Sequence, residues 1–570
     1  MHMNPKRPHR RVAGVLSLSL LAALSGACSS TDVGDSGTNP GDEGASNVTN
    51  DGEGSNSGGN LTSGDSWGDE GGGSTSGGWP GGTSGQDPSG EPPPDDDEGG
   101  EPGTTSGAET GEDTGSTSDA STGDSTTGAE ELCDAEAPVV LYLSPDDSNS
   151  TSSPVQAREA VLGGWGLGYV PIRTWEFLNY YSFNYAAAEP GQVRVKPELA
   201  RLEGAPEGEF ALQIGISSPA IANADRPLMN VTLVLDESGS MSGQPIALEK
   251  EVCRQIAGSL RAGDVVSLVG WDTSNAVKLS GHVVTKANDP VLVAECDQLA
   301  AEGGTDLNGG LIAGYALAHE HFDAGRVNRV VLISDGGANA GVTDIDLIAG
   351  SAGSQNQDGI YLVGVGVGTP DYYNDDLMDT VTDVGKGASL FVGSAAEAEK
   401  MFKQRFVATM QVAARDVRVR LDLPPGFEVV KFSGEEISSD PAEVEPQHLA
   451  PNDAMVFHQS LSTCAPQLID ETAQLSVTVR YLDAVTFEMR EVVESRKILE
   501  EVEAASPLLL KGAAVFAYAE ALKGWRDGLV AHDVALAPAF AALVVAEAAL
   551  PGDADLAEIR EVLEAVQAMG

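Results

Sequence analysis

Four unbroken apolar runs organise the middle of the chain. They are "VTLVLD" (Val231–Asp236), "VVSLVGW" (Val265–Trp271), "VVLISD" (Val330–Asp335) and "IYLVGVGVG" (Ile360–Gly368). Runs without polar alternation read as parallel strands covered on both faces. Helical stretches such as "QPIALEKEVCRQIAGSL" and "LNGGLIAGYALAHEHF" lie between them. This strand–helix alternation predicts a doubly wound, mostly parallel α/β sheet that ends near Met410. On either side the period falls to two. "QVRVKPELARL" and "EFALQIGIS" precede the α/β part, and "VRVRLDL", "AMVFHQSL" and "QLSVTVRYLD" follow it; all predict strands of an antiparallel sheet. From Pro507 the chain becomes rich in Ala and Leu at helical spacing, which predicts helices covering a sheet face or the α/β domain.

The N-terminal quarter has neither period. Lys6, Arg7, Arg10 and Arg11 precede the apolar stretch "VAGVLSLSLLAAL", the pattern of an export signal too short for a stable membrane anchor. The "SGACSS" after it resembles a bacterial lipobox, which would make Cys28 the lipid-bearing mature terminus. Ser25 stands where that pattern usually has Leu, and plain secretion with cleavage near Ala27 is the alternative. From Ser29 to about Glu131 the chain is Gly, Ser, Thr, Asp, Glu and Pro, too poor in apolar area to offset the entropy of ordering. A coil of about 100 residues spans roughly 55 Å, which suits a tether. The division is therefore 1–27 signal, 28–131 linker, 132–228 an extension with β-strands, 229–411 the α/β domain, 412–500 a β-rich region and 501–570 a helical region. No segment after the signal is expected to be long and apolar enough to cross a membrane.

Charge narrows the partners. With 86 acidic against 33 basic residues among 570, the net charge is −53, which repels nucleic-acid phosphate and anionic lipid. Membrane attachment is expected only through the lipid. Setting Cys28 aside, Cys133, Cys253, Cys296 and Cys464 remain, none at the CxxC spacing of a zinc site. In an exported protein they can pair. Cys253 and Cys296 share a domain, which favours 253–296 and leaves 133–464; free buried thiols are an equal alternative.

The chemistry lies where the strands end. In an open α/β sheet, loops converge beyond the carboxyl ends of the strands. Asp236 closes the first apolar run and Asp335 the third, while "AEGGTDLNGG" sets Thr305 on a Gly-softened loop before a helix. Asp236, Ser238, Ser240, Thr305 and Asp335 offer only oxygen, the donor set of a hard divalent cation. The competing reading is that the serines cap the next helix and Asp236 bonds its own loop.

Asp-x-Ser-x-Ser in "DESGSM", then Thr in "GGTD", then Asp in "ISDG" resembles the metal-ion-dependent adhesion site of von Willebrand factor type A domains. "GRVNRVVLISDGGANAGVTD" and "YYNDDLMDTVTDVGKG" are similar, more narrowly, to exported bacterial von Willebrand A proteins with an N-terminal extension and a C-terminal β-plus-helix domain. "LSPDDSNSTSSPVQAREAVLGG" matches the Asp/Ser-rich opening of that group only loosely. The resemblance implies Mg²⁺, with Mn²⁺ or Ca²⁺ as substitutes, held by the five residues above. It also implies an open coordination position that takes an acidic residue of a partner protein.

No catalytic machinery is expected. "GVGVG" (Gly364–Gly368) lacks the full dinucleotide fingerprint, so close packing of backbone is the better reading. His319 and His321, two apart on a helix, point to different faces. The 8 histidines form no HExxH, and GxSxG is absent. The expectation is a lipid-anchored envelope protein, not an enzyme, that binds a protein through a metal. The alternative is a scaffolding subunit of an envelope or secretion complex in which the metal is structural.

Overall fold

The computed structural model describes residues 136–201, 208–338, 359–501, 505–528 and 531–569. The signal, Cys28, the linker and Cys133 lie outside the described residues.

The apolar runs become β4 (Met229–Asp236), β5 (Val265–Trp271), β7 (Val327–Ser334) and β8 (Tyr361–Val367). With β6 (Asn275–Val283) and β9 (Ser389–Val392) they form one sheet in the order β6-β5-β4-β7-β8-β9. Only β6 runs antiparallel, pairing with β5 at the edge. It is largely exposed and has no apolar run, so periodicity did not reveal it. Every residue of β4 is buried, because helices cover both faces of the sheet. Val231, Leu233 and Leu235 face one core with α3 (Gln244–Ser259) and α4 (Pro290–Gln298). Val234 faces the other, with α5 (Leu307–Glu320) and α6 (Asp375–Val384). A disulfide joins Cys253 on α3 to Cys296 on α4. Cys464 is also disulfide-bonded. The glycines of "GVGVG" sit in β8, where an added Cβ would come 2.1 Å from Thr382 at Gly364 and 2.4 Å from the Tyr373 ring at Gly366. Packing accounts for them.

The regions on either side of the α/β domain are not two separate bodies. β1 (Val139–Ser144) pairs with β10 (Ala414–Leu423), and β3 (Glu209–Ser217) with β14 (Ala454–Thr463). Together with β2 (Arg194–Ala200), β11 (Phe427–Phe432), β12 (Glu436–Ser438), β13 (Gln447–Leu449), β15 (Gln474–Asp483) and β16 (Met489–Lys497) they build two facing sheets. One runs β12-β1-β10-β15-β16 with β13 also on β10; the other runs β11-β14-β3-β2. Leu212, Ile214, Leu421, Phe457 and Val477 fill the space between. Alternating strands have one apolar face that must be covered, and each of the two sheets takes strands from both flanks. The α/β domain is thus inserted between β3 and β10 of a sandwich.

Helix α7 (Pro507–Arg526) lies on the β3–β14 face, with α8 (His532–Ala549) and α9 (Ala554–Met569) behind it. It approaches closely because Gly512 has no side chain; a Cβ there would overlap Gln213. Its Tyr518 meets Phe177 edge-on at 5.4 Å, on α2 (Thr174–Tyr180). One expectation needs correction. Helix α8 is, by length and composition, apolar enough to cross a membrane. Its stripe of Leu536, Ala539, Leu543 and Ala546 is buried in the helical layer, whereas Val534, Val544 and Val545 are exposed. The Ala/Val richness that gives it this hydropathy also lets it pack closely on α7.

Candidate metal centre

β4 delivers Asp236 to the carboxyl edge of the sheet, fully buried. Its backbone N–H donates to Glu249 Oε1 at 2.8 Å, from α3 behind it. Oδ1 accepts the Ser238 N–H at 2.9 Å, and Oδ2 accepts the Ser334 hydroxyl at 2.6 Å. The carboxylate is thereby fixed by its own turn and by the end of neighbouring β7. Ser238 and Ser240 bring their hydroxyl oxygens to 2.9 Å from one another. The loop carrying Thr305 is tied to the same turn, since Gly239 N–H donates to Gly303 O and Glu302 N–H to Glu237 O. Beyond β7, Gly337 N–H donates to Asp335 Oδ1 at 3.0 Å.

Gly337 shows how closely these groups converge. A Cβ built on it would lie 3.1 Å from Asp335 Oδ1, 3.5 Å from Thr305 Cγ2 and 3.6 Å from Ser240 Oγ. Three separated stretches of sequence therefore surround one small cradle that a methyl group would fill. Ser238 joins it through Ser240, and Asp236 through Ser238.

The electrostatics leave this edge short of positive charge. Burial pushes the Asp236 carboxyl up to about 7, against its hydrogen bonds from Ser334 and Ser238, and Asp335 adds to the rise. Burial, with Asp236 nearby, pushes Glu249 well above the usual carboxylate range. Glu249 Oε2 has no hydrogen-bond partner, so Glu249 supports Asp236 through Oε1 alone. Nearby Glu237 is paired with Lys278 at 2.7 Å and adds no free charge. Oxygen-only donors, two carboxylates and a Gly-lined cradle fit a hard divalent cation. Among the described residues no cluster of three or more His, Cys, Asp or Glu side chains is placed for a metal. The donor set here is mostly hydroxyl: Ser238, Ser240 and Thr305 beside two carboxylates.

Sequence reasoning missed Ser334, Glu249 and Asn374. Ser334 directly precedes Asp335 and bonds across to Asp236. Glu249 had a signal: it lies on the buried face of α3 with Val252, Cys253 and Ile256, where a charged residue stands out. Asn374 N–H donates to Asp335 O at 3.1 Å and starts α6. His319 and His321 lie at the opposite end of α5; His321 Nε2 contacts Ser280 Oγ at 2.7 Å.

The Asp/Ser-rich opening also finds a place. Ser148 N–H donates to His448 O, Thr151 N–H to Ser389 O, and the Asn149 amide to Ala408 O at 3.2 Å. The loop joins the sandwich to the α/β domain at the far end of the sheet.

The chain is 26% identical over 264 residues to the uncharacterized protein YfbK of Escherichia coli, covering 45% of each chain. It is 28% identical over 222 residues to the uncharacterized protein sll0103 of Synechocystis, covering 39% of this chain and 51% of that one. The matches thus span about half the length of these bacterial relatives. Among solved structures, a von Willebrand factor type A protein from Catenulispora acidiphila is similar with a TM-score of 0.41 and 14% identity, over 62% of this chain and 87% of that one. The family model for the von Willebrand factor type A domain matches residues 231–338, the stretch that holds all five oxygen donors. This chain therefore contains a von Willebrand factor type A domain, set within a β-sandwich and followed by a helical layer.

Proposed function

We propose that this protein binds a partner protein through a divalent cation at the carboxyl edge of its α/β sheet. A von Willebrand factor type A domain points to protein–protein interaction or adhesion. The observation that carries the finer reading is the cradle at Gly337, with Asp335, Thr305 and Ser240 around it and Asp236 and Ser238 behind. Asp236, Ser238, Ser240, Thr305 and Asp335 would hold Mg²⁺, or Mn²⁺ or Ca²⁺. Three of these donors are neutral hydroxyls, so the cation keeps net positive charge and takes a Glu or Asp carboxylate from the partner. The acidity of the chain does not prevent this, because charges beyond about 8 Å are screened at physiological ionic strength. We further propose that Cys28 carries lipid on the bacterial envelope and that residues 28–131 hold the folded body away from the membrane. No catalysis is proposed.

The test is isothermal titration of Mg²⁺, Mn²⁺ and Ca²⁺ into the wild type and an Asp236→Ala, Ser238→Ala variant of matched thermal stability. Micromolar-to-millimolar binding that the variant lacks supports the reading. Equal, weak heats in both reject it.

A further inference from the structure

The opposite, amino-terminal edge of the same sheet holds a second polar cluster, which the metal reading does not use. Arg329 lies two residues after the start of β7, Tyr361 starts β8 and Lys386 precedes β9. They meet Arg415 and His448 of the sandwich, Asp147 of the Asp/Ser-rich loop and Gln411 of the segment that leaves the domain. Residues from five parts of the chain thus surround one small cavity of about 10 Å³, room for a single water-sized particle.

Its lining is rich in donors. His448 Nδ1 accepts the Asp416 N–H at 3.3 Å, so in the neutral ring the hydrogen sits on Nε2. That Nε2–H is buried and has no partner. The Gln411 Nε2 amide and Arg415 Nε are likewise buried and unpartnered. The residues Gln411 and His448 are 4% and 6% exposed. Buried donors left in this state are costly, and native structures rarely keep several together.

The charge balance has the same sign. Arg329 is buried, and its guanidinium donates to Asn328 O and lies 5.1 Å from the Tyr361 ring centroid. Arg415 lies 5.0 Å from that centroid and donates to Tyr361 Oη. Neither arginine, nor Lys386, makes an ion pair among the described residues. In a chain of net charge −53, three cations left together without a carboxylate in contact need an explanation. The crowding has a measurable sign: burial, then Arg415, lowers Arg329 to about 10. Asp147 is the acid of the cavity: it is already engaged by the His448 N–H, burial pushes it up to about 7, and Arg329 and Lys386 draw it back down, so one partly ionised carboxyl faces three cations. Asp383 acts on Asp147 from further off.

We propose that this seam is a binding site for a small monovalent anion of chloride size, held by the Gln411 amide, His448 Nε2–H and the Arg329 guanidinium. A water molecule accepts only two hydrogen bonds and carries no charge, whereas a halide accepts from several donors at once and offsets the arginines. Because its ligands come from the α/β domain, the sandwich and the segment between them, the anion fastens the domain to its frame. The site is independent of the metal centre.

The intact protein is unfolded thermally in sodium gluconate, chloride and bromide at equal ionic strength, beside Gln411→Leu. Gluconate is too large for the cavity. The expected result is a midpoint about 1–3 °C higher in chloride and bromide than in gluconate, with the gap closed in Gln411→Leu. Equal midpoints in the wild type overturn the proposal, as does a gap that Gln411→Leu leaves unchanged, since that is a general salt effect. Should Gln411→Leu not fold, wild-type crystals soaked in bromide decide. An anomalous peak against Gln411 and His448 supports the site; a water there without bromide overturns it.

Discussion

The two ends of one β-sheet have opposite chemistry. At the carboxyl edge Asp236 and Asp335 converge with three hydroxyls, and among the described residues no Lys or Arg forms an ion pair with them. At the amino edge Arg329, Arg415 and Lys386 converge with unpartnered donors and one acid that is already engaged. Each end carries an excess of one sign, which is why we propose a cation at the first and an anion at the second. The difference between them is one of construction. The acidic end is made by loops of a single domain, whereas the basic end is made where that domain meets its frame. On these proposals, partner binding belongs at the first and anchoring at the second.

The largest expected effect breaks the acidic end alone. The Cys253–Cys296 bridge closes a loop with a sequence separation of 43 and pins α3, whose Glu249 supports Asp236. Replacing both cysteines with Ser should cost about 4 kcal/mol on the chain-entropy account. Denaturant unfolding checks the stability, and metal titration of the same variant should show weaker binding, while any chloride dependence is kept.

The next sharpens the contrast through pH. Burial and the three cations hold His448 down to about 3, below its ordinary value of 6.5. Its contribution to stability is complete above pH 6.5 and is lost as pH falls toward 3, because only the unfolded state takes up the proton. Asp147, raised to about 7 from 3.8, has the reverse sign: its contribution is present below about 4 and is lost as pH rises through 7. Between pH 4.5 and 6.5 the two slopes, each about 1.4 kcal/mol per unit, oppose one another. Asp147→Asn should therefore lose about 2–3 kcal/mol relative to wild type on going from pH 6.5 to 4.5. His448→Phe should gain relative stability over the same fall. Urea unfolding at the two pH values measures both, and slopes of like sign in the two variants would refute the assignment.

The same comparison explains what the sequence made legible. Asp236, Ser238 and Ser240 are contiguous, and Thr305 and Asp335 stand in short motifs at strand or helix ends, so the acidic end was readable without coordinates. So were the buried strands, whose apolar runs reflect helices on both faces. Strand β6 was not, because an exposed edge strand needs no apolar pattern. Nor was the basic end, whose members run from Asp147 to His448 and share no local spacing. The pairing of β1 with β10 escaped for the same reason. Strand alternation marks a half-buried surface without naming what covers it.

A smaller effect separates support from ligation within the acidic end. Glu249 is buried, and its Oε1 accepts the Asp236 N–H. Glu249→Gln keeps an acceptor of the same shape and should leave metal affinity within about twofold. Glu249→Ala leaves the Asp236 N–H unsatisfied in the core and should cost about 1–3 kcal/mol of stability. Calorimetric titration and unfolding of the two variants distinguish a positioning residue from a ligand: loss of metal binding in Glu249→Gln would make Glu249 a ligand.

The smallest change in stability gives the cleanest test of the cradle. Gly337 does not require the left-handed backbone region, unlike its neighbour Gly336 at φ 80°. An alanine there is conformationally allowed, and its methyl group contacts the site: it would press on Asp335 Oδ1 at 3.1 Å and approach Ser240 Oγ at 3.6 Å. Gly337→Ala should therefore fold with a melting temperature close to wild type yet bind the cation about tenfold more weakly, roughly 1.4 kcal/mol. Unchanged affinity in a well-folded Gly337→Ala would mean that the cation, if bound, does not occupy the space between Asp335, Thr305 and Ser240. The acidic end would then be a rigid strand terminus, and only the basic end would remain as a candidate ion site.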